Sequence, residues 1–154
     1  MLKRTIRLLN PSDLESVKSI ENASFPEPWD FEIFEILASY RGRAIKANGA
    51  RIYMYVLEEE NDVTGYVVWE EAAREGHILN LAVQEDRRNS GRGKELLLFA
   101  IRKLKLKGME SCILECRDNN AIARGLYESI GMTESDHVDG YYGDQDAVIY
   151  RLDL

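Results

Sequence analysis

An apolar run, His77-Ile78-Leu79-Asn80-Leu81-Ala82-Val83, is separated from a long amphipathic run, Glu95 to Lys107, by a basic turn that contains glycines. The turn reads Arg87-Arg88-Asn89-Ser90-Gly91-Arg92-Gly93-Lys94. Strand, turn, helix is the order that most constrains the fold. It aims main-chain N–H groups and the positive end of a helix dipole at one point beyond the strand, where an anion is favoured. The arginines and Lys94 reinforce that field, and a pyrophosphate is the anion it suits best. The plain alternative is a solvated helix start with ordinary surface arginines. A helix in this position returns the chain to the sheet, so the strand before it and the strand after it should be parallel.

At 154 residues the chain is expected to form a single domain, 1–154, with a substantial core. The net charge of −7 weighs against a general nucleic-acid binder, and it sets the basic turn against an acidic background. No apolar stretch approaches the roughly 20 residues that cross a bilayer. The start, Met1-Leu2-Lys3-Arg4-Thr5-Ile6, lacks the apolar core and cleavage site of a signal peptide, so a cytoplasmic protein with no membrane contact is expected. Cys112 and Cys116 sit in one strand, with Cα atoms roughly 13 Å apart, too far for a disulfide. They read as small, buried, reduced residues. With His77 and His137 the only histidines, no metal-site spacing is present and no metal is expected. Both histidines read as surface or capping residues.

Along the chain, Thr5 to Leu9 reads as a strand. Asn10 then caps a helix with Pro11 at its first position, Asp13 in its first turn, and Leu14, Val17 and Ile20 as its buried stripe. Phe25-Pro26-Glu27-Pro28-Trp29 breaks that helix. Asp30 caps a second helix to about Tyr40, with Phe31, Phe34 and Leu37 on one face, and Gly42 and Gly49 mark its exit loop. Ile52 to Glu58 and Val63 to Glu70 form a hairpin around Asn61-Asp62. A turn over Ala73 to Gly76 leads to the strand 77–83. After the basic turn, Leu97, Ile101 and Leu104 recur at helical spacing and Gly108 ends the helix. Ser111 to Arg117 is a strand. Asn119 or Asn120 caps a further helix with Ile122, Leu126 and Ile130 as its stripe, ended by Gly131. Met132 to His137 and Ala147 to Leu152 close the chain as a hairpin. The fold class is α/β with a mixed sheet, in the order β-α-α-β-β-β-α-β-α-β-β.

The basic turn fails two familiar nucleotide fingerprints. A P-loop needs four residues between its glycines and a Ser or Thr after the lysine; here one residue separates Gly91 from Gly93, and Glu95 follows Lys94. The dinucleotide fingerprint needs a glycine where Leu96 stands.

What fits is Arg88-x-x-Gly91-x-Gly93. Here the chain resembles the GNAT superfamily of acetyl-CoA-dependent N-acetyltransferases, whose pyrophosphate loop reads Arg/Gln-x-x-Gly-x-Gly/Ala after a central strand. The resemblance extends over most of the chain and keeps the family's element order. Leu114-Glu115-Cys116-Arg117, Asn120 and Leu126-Tyr127-Glu128-Ser129-Ile130-Gly131 resemble the N-terminal protein acetyltransferase branch. Within it the likeness is greatest to ribosomal-protein-alanine acetyltransferases of the RimI type, including Phe25-Pro26…Trp29 and Tyr141-Tyr142…Asp146-Ala147. The chain departs from that pattern at Met132, where Phe is usual, at Gly125 inside a helix, and at Pro28, which lengthens the Phe-Pro-Trp motif.

The resemblance implies a GNAT fold and acetyl transfer from acetyl-CoA to an amine, with the N-terminus of a protein or peptide as acceptor and a monomer or weak dimer as the active species. Leu81, Ala82 and Val83 would face the acetyl and pantetheine arm. Arg88, Asn89, Ser90, Gly91, Arg92, Gly93 and Lys94 would hold the pyrophosphate, mainly through main-chain N–H groups. Asn120 would cap its helix, bind the cofactor arm, or do both. Glu115 shares a strand face with Ile113 and Arg117, opposite Cys112, Leu114 and Cys116, and a carboxylate mid-strand needs a reason. It either pairs with Arg117 or a lysine, or serves as the general base that the resemblance implies. Tyr127 is either a core aromatic or the acid that protonates the departing CoA sulfur. Phe25, Pro26, Trp29, Tyr141 and Tyr142 either wall a peptide groove or pack at the edge of the core. A small amine such as a polyamine is an alternative acceptor, and a non-catalytic acetyl-CoA-binding module is a third reading.

Overall fold

The computed structural model describes residues 3–154, so Met1 and Leu2 of the N-terminal hexapeptide lie outside the described residues. Strand β1 (Arg4–Leu8) leads to Asn10, whose side-chain oxygen accepts from the Ser12 N–H at 3.1 Å. Asp13 returns its carboxylate to the Asn10 N–H at 2.9 Å. This reciprocal cap opens one 3-10 turn that runs into helix α1 (Leu14–Ser24), with Val17 and Ile20 buried. Past the two prolines, Asp30 caps helix α2 (Phe31–Ser39), and Phe34 and Leu37 turn inward.

Where an exit loop was expected, a three-residue strand, β2 (Arg43–Ile45), pairs with β3 (Arg51–Glu59). Three residues are too few to show a period. The observed order is therefore β-α-α-β-β-β-β-α-β-α-β-β. β3 and β4 (Asp62–Ala72) form the expected hairpin, turning on Glu60 and Asn61 at φ 50° and 71°. Strand β5 (Glu75–Val83) starts earlier than its apolar run, helix α3 spans Arg92–Leu106, and β6 spans Ser111–Arg117. Gly76, assigned to the turn by its sequence, lies inside β5. A Cβ there would stand 2.3 Å from the buried Leu104 side chain of α3, so any larger residue would force Leu104 to move.

Helix α4 (Ala121–Ser129) is capped by Asn120, and β7 (Thr133–Val138) and β8 (Ala147–Asp153) close the chain. Its inner face differs from the stripe read in sequence. Ile122 is 80% exposed, and Ala123, Leu126, Tyr127 and Ile130 meet the core instead. Steps of three and four residues keep one helical face inward, whereas steps of four alone drift off it.

The sheet order is β1-β3-β4-β5-β6-β8-β7, with β2 on β3. α1 and α2 cover one face over Met54, Val56, Tyr66 and Val68, and α3 covers the other over Leu57, Val67, Trp69 and Leu114. Among the described residues β5 and β6 make the one parallel pair, and it is short. Their register runs from Glu75↔Ser111 to Ile78↔Leu114 and stops there. β5 then bulges at Leu79 and stays with β4 as far as Val83, while β6 stays with β8 as far as Arg117. The two central strands separate and leave a wedge between Leu79–Val83 and Glu115–Arg117. No helix among the described residues is long and apolar enough to cross a membrane.

Candidate functional site

The wall of the wedge on the β5 side is main chain. The Gln84 N–H donates to the Thr64 carbonyl of β4 at 2.8 Å. By alternation Ala82 also bonds toward β4, and Leu81 and Val83 turn their N–H and C=O groups into the wedge. Arg88 Nε meets the Val83 carbonyl at 3.0 Å and Arg88 Nη2 donates to Ser24 Oγ at 2.9 Å, so this side chain braces the end of β5 against α1.

Gly91, at φ 85°, opens α3 with no side-chain cap, and the Glu95 N–H is the first to bond back, to the Gly91 carbonyl at 2.9 Å. Main-chain N–H groups from Asn89 to Lys94 donate no hydrogen bond among the described residues. They stand at the positive end of a 15-residue helix, as an anion site requires. The left-handed conformation demands glycine at 91. A Cβ at Gly93 would meet only ordinary contacts, Leu126 at 3.9 Å and Val83 at 4.0 Å, so the chain's own packing does not demand glycine there.

The cations of the turn divide. Lys94 is exposed. Arg92 is buried, with Nε and Nη2 each 2.7 Å from the Glu59 carboxylate and Nη1 donating to Ser90 Oγ beneath the turn. Arg4 adds a contact to Glu59 at 3.2 Å, and Thr64 donates its hydroxyl. The Arg92 guanidinium holds the Glu59 carboxyl down at about 2. Arg92 can therefore offer the turn its N–H but not its charge. Replacing Glu59 with Gln strands that buried guanidinium and is expected to cost about 3–5 kcal/mol, read from urea midpoints. Because the folded pKa is depressed, the stabilisation is present above the ordinary carboxylate range, about 4.3, and fades as pH falls toward 2. The gap between wild type and variant should close over that interval; equal midpoints at neutral pH would contradict the assignment.

On the β6 wall Glu115 is partly buried, on the face opposite Cys112, Leu114 and Cys116 as alternation required. It does not pair with Arg117, which bonds Asp144 at 3.2 Å and lies 4.6 Å from the Tyr142 ring. Its partner is His77, whose Nε2 is 2.6 Å from Glu115 Oε2. Sequence reasoning set His77 aside. The parallel register supplies the missing signal, since His77 lies opposite Ile113, on the strand face that Glu115 shares. The hydrogen bond that the ring donates to Glu115 raises the His77 pKa against the opposing effect of burial.

Across the wedge, Tyr127 lies on the inner face of α4. Its ring meets Tyr150 edge-on at 5.5 Å, and the Tyr150 hydroxyl is held by Arg124 at 3.0 Å and Glu128 at 2.9 Å. Burial raises the Tyr127 pKa, and Cys116 and Tyr142 are among the groups that face it. Asn120 performs its capping role, accepting from the Ala123 N–H at 3.1 Å. Burial pushes the Cys116 thiol up to about 11 and Cys112 to about 12, so neither is an activated nucleophile.

The five aromatic-loop residues fall into two sets. Pro26 and Tyr142 line one groove with Glu27, Arg117, Asn119 and Asp144, and Tyr141, 53% exposed, packs against Tyr142 at 4.9 Å. Phe25 and Trp29 pack on the core under α1 and α2, Trp29 stacking on Phe34 at 5.5 Å. Glu21, unremarked in the sequence, is buried and accepts from the Trp29 N–H at 2.8 Å, Asn80 at 2.9 Å and the Tyr66 hydroxyl. It ties the aromatic loop to β5. His137 pairs with Asp146 at 3.1 Å at the base of the 139–146 loop, with Asp118 alongside.

Comparison with known proteins gives the family and the fold. The profile of the Acetyltransferase (GNAT) family matches residues 14–132. The [ribosomal protein bS18]-alanine N-acetyltransferase of Escherichia coli strain K12 is 30% identical, covering 97% of each chain. The crystal structure of the ribosomal-protein-S18-alanine N-acetyltransferase from Escherichia coli is similar with a TM-score of 0.84 over 99% of this chain and 94% of that one, at 27% identity. Ard1 from Thermoplasma volcanium reaches 0.83 over 98% and 97%, at 26% identity.

Proposed function

The chain belongs to the acetyltransferase (GNAT) family and is an acetyl-CoA-dependent N-acetyltransferase, and we propose that its acceptor is the N-terminal α-amino group of a protein or peptide. The observation that carries this reading is the placement of Glu115 at the wedge. The groove of Pro26 and Tyr142 also contains Arg117, two positions along the same strand face, so an extended chain in the groove brings its end to Glu115. The similarity over 97% of the chain to a [ribosomal protein bS18]-alanine N-acetyltransferase, whose acceptor is a protein, supports it.

The residues present suit acetyl-CoA. Outward N–H groups from Asn89 to Lys94 suit its pyrophosphate, with Arg88 and Ser90 shaping the turn. The open edge of β5 at Leu81 and Val83, with Ala82 between, suits an extended arm, and Asn120 and Tyr127 flank its far side. Glu115 takes a proton from the acceptor ammonium, directly or through one water. An α-amino group has a pKa of about 7.7–8.0, so the demand on the base is modest. The freed amine attacks the thioester carbonyl, toward which the N–H groups around Leu81–Val83 are aimed. Tyr127 donates its hydroxyl proton toward the sulfur as the carbon–sulfur bond breaks, and the second proton that the acylated nitrogen must lose restores the phenol through solvent. The transfer is direct within a ternary complex, and no enzyme nucleophile takes part.

The test is a panel of short peptides with varied first residues alongside polyamines, each with acetyl-CoA, read by mass spectrometry. Acetylation confined to peptide α-amino groups is expected. Faster acetylation of polyamines would replace the acceptor class. CoA release with no acetylated product anywhere in the panel would return the chain to a binding module.

A further inference from the structure

The titratable group closest to Glu115 is not used by the transfer described above. His77 is partly buried on β5, and its Nε2 lies 2.6 Å from Glu115 Oε2, a separation that requires one proton between the two atoms. Taking the carboxylate as acceptor assigns that proton to Nε2 and leaves Nδ1 as the nitrogen where the ring gains or loses its charge. The charged groups that face His77 come from three strands: Glu70, its register partner on β4, Glu75 on its own strand, and Glu115 on β6. Glu70 is matched by Lys46 at 2.9 Å and Glu75 by Arg151 at 3.3 Å. Among the described residues His77 is the one ion-pair partner of Glu115.

We propose that His77 is the positioning residue of the base: it fixes one oxygen of Glu115, leaves the other to the acceptor amine, and sets by its own charge how strong a base Glu115 is. The proposal rests on Glu115 being the base. With Nδ1 protonated, the imidazolium weakens the carboxylate as a proton acceptor and repels an incoming ammonium. Loss of the Nδ1 proton leaves the Nε2–H bond in place and gives a net negative pair that accepts the amine's proton at the free oxygen. Because Glu115 lifts the His77 pKa, the rise in rate with pH should be centred above the ordinary histidine value of about 6.5.

The experiment is the single-turnover rate against pH, with saturating acetyl-CoA and an acetylatable peptide, for wild type, His77→Gln, His77→Ala and Glu115→Gln. Acetyl-CoA binding by calorimetry checks the fold of each. Glutamine keeps an N–H donor without a titrating ring. His77→Gln is expected within about threefold of wild type at high pH and flat between about pH 6 and 8, because no titrating ring then faces Glu115. His77→Ala should lose about tenfold or more at every pH. A wild-type limb retained in His77→Gln, inactivity of that variant, or an unimpaired His77→Ala each overturns the proposal. Glu115→Gln separates the two levels. If it keeps the wild-type rate and profile, the base assignment itself fails; if it falls to a low rate that follows only the ionisation of the amine while His77→Gln keeps the wild-type limb, only the role of His77 fails.

Discussion

Glu115→Gln is expected to lower turnover about 100- to 10,000-fold at pH 7, the range that a positioned general base supplies. The amide keeps the shape of the side chain and can still bond His77, whose Nε2 lies 2.6 Å from the carboxylate, so the strand is preserved and a proton acceptor is lost. The deficit depends on pH in a definite direction. Below pH 7 nearly all of the acceptor is ammonium and the variant has no means of deprotonating it. Above about pH 8 solution supplies the neutral amine, and the gap narrows. What remains of the variant's profile should follow the ionisation of the amine. A turnover and profile identical to wild type would remove Glu115 from the chemistry.

The second large effect is Tyr127→Phe. The ring stays, so the edge-on contact with Tyr150 at 5.5 Å is kept and acetyl-CoA binding should change little. The lost hydroxyl is expected to cost about 100- to 1,000-fold in turnover, comparable to removing one donor from an oxyanion site. Burial raises the Tyr127 pKa, so the hydroxyl is protonated at every working pH. The variant should therefore lower the whole pH profile without moving its limbs. That pattern differs from Glu115→Gln, where the shape changes. Unchanged turnover would show that Tyr127 is a core aromatic and nothing more. The raised pKa also makes it a reluctant acid, so its contribution is greatest as negative charge builds on sulfur.

Much of the site was legible because its signals are local. Gly91 adopts the left-handed conformation at the start of α3, the two failed glycine spacings exclude the commonest nucleotide loops, and Glu115 is a carboxylate inside the otherwise apolar run Cys112 to Cys116. Other features were illegible because their partners are distant in sequence. Arg92 looked like part of a cationic anion site, and its guanidinium is spent on Glu59, 33 residues earlier. Arg117 looked like the neighbour that would neutralise Glu115, and it turns to Asp144 and Tyr142. Phe25 and Trp29 looked equivalent to Pro26 and Tyr142, and they pack on the core under α2 instead.

By itself the sequence determined the caps, the turns and the alternation of faces, because backbone conformation and hydrophobic period are set by residues a few positions apart. That was enough for the left-handed glycine turn before α3, the order of the elements save for β2, and the face on which Glu115 lies. Only the tertiary structure decided that β5 and β6 separate after Ile78 and Leu114, because that depends on two strands each keeping a different outer neighbour. It alone decided that His77 meets Glu115. The wedge and the pair are products of strand pairing, a long-range choice that no local period records.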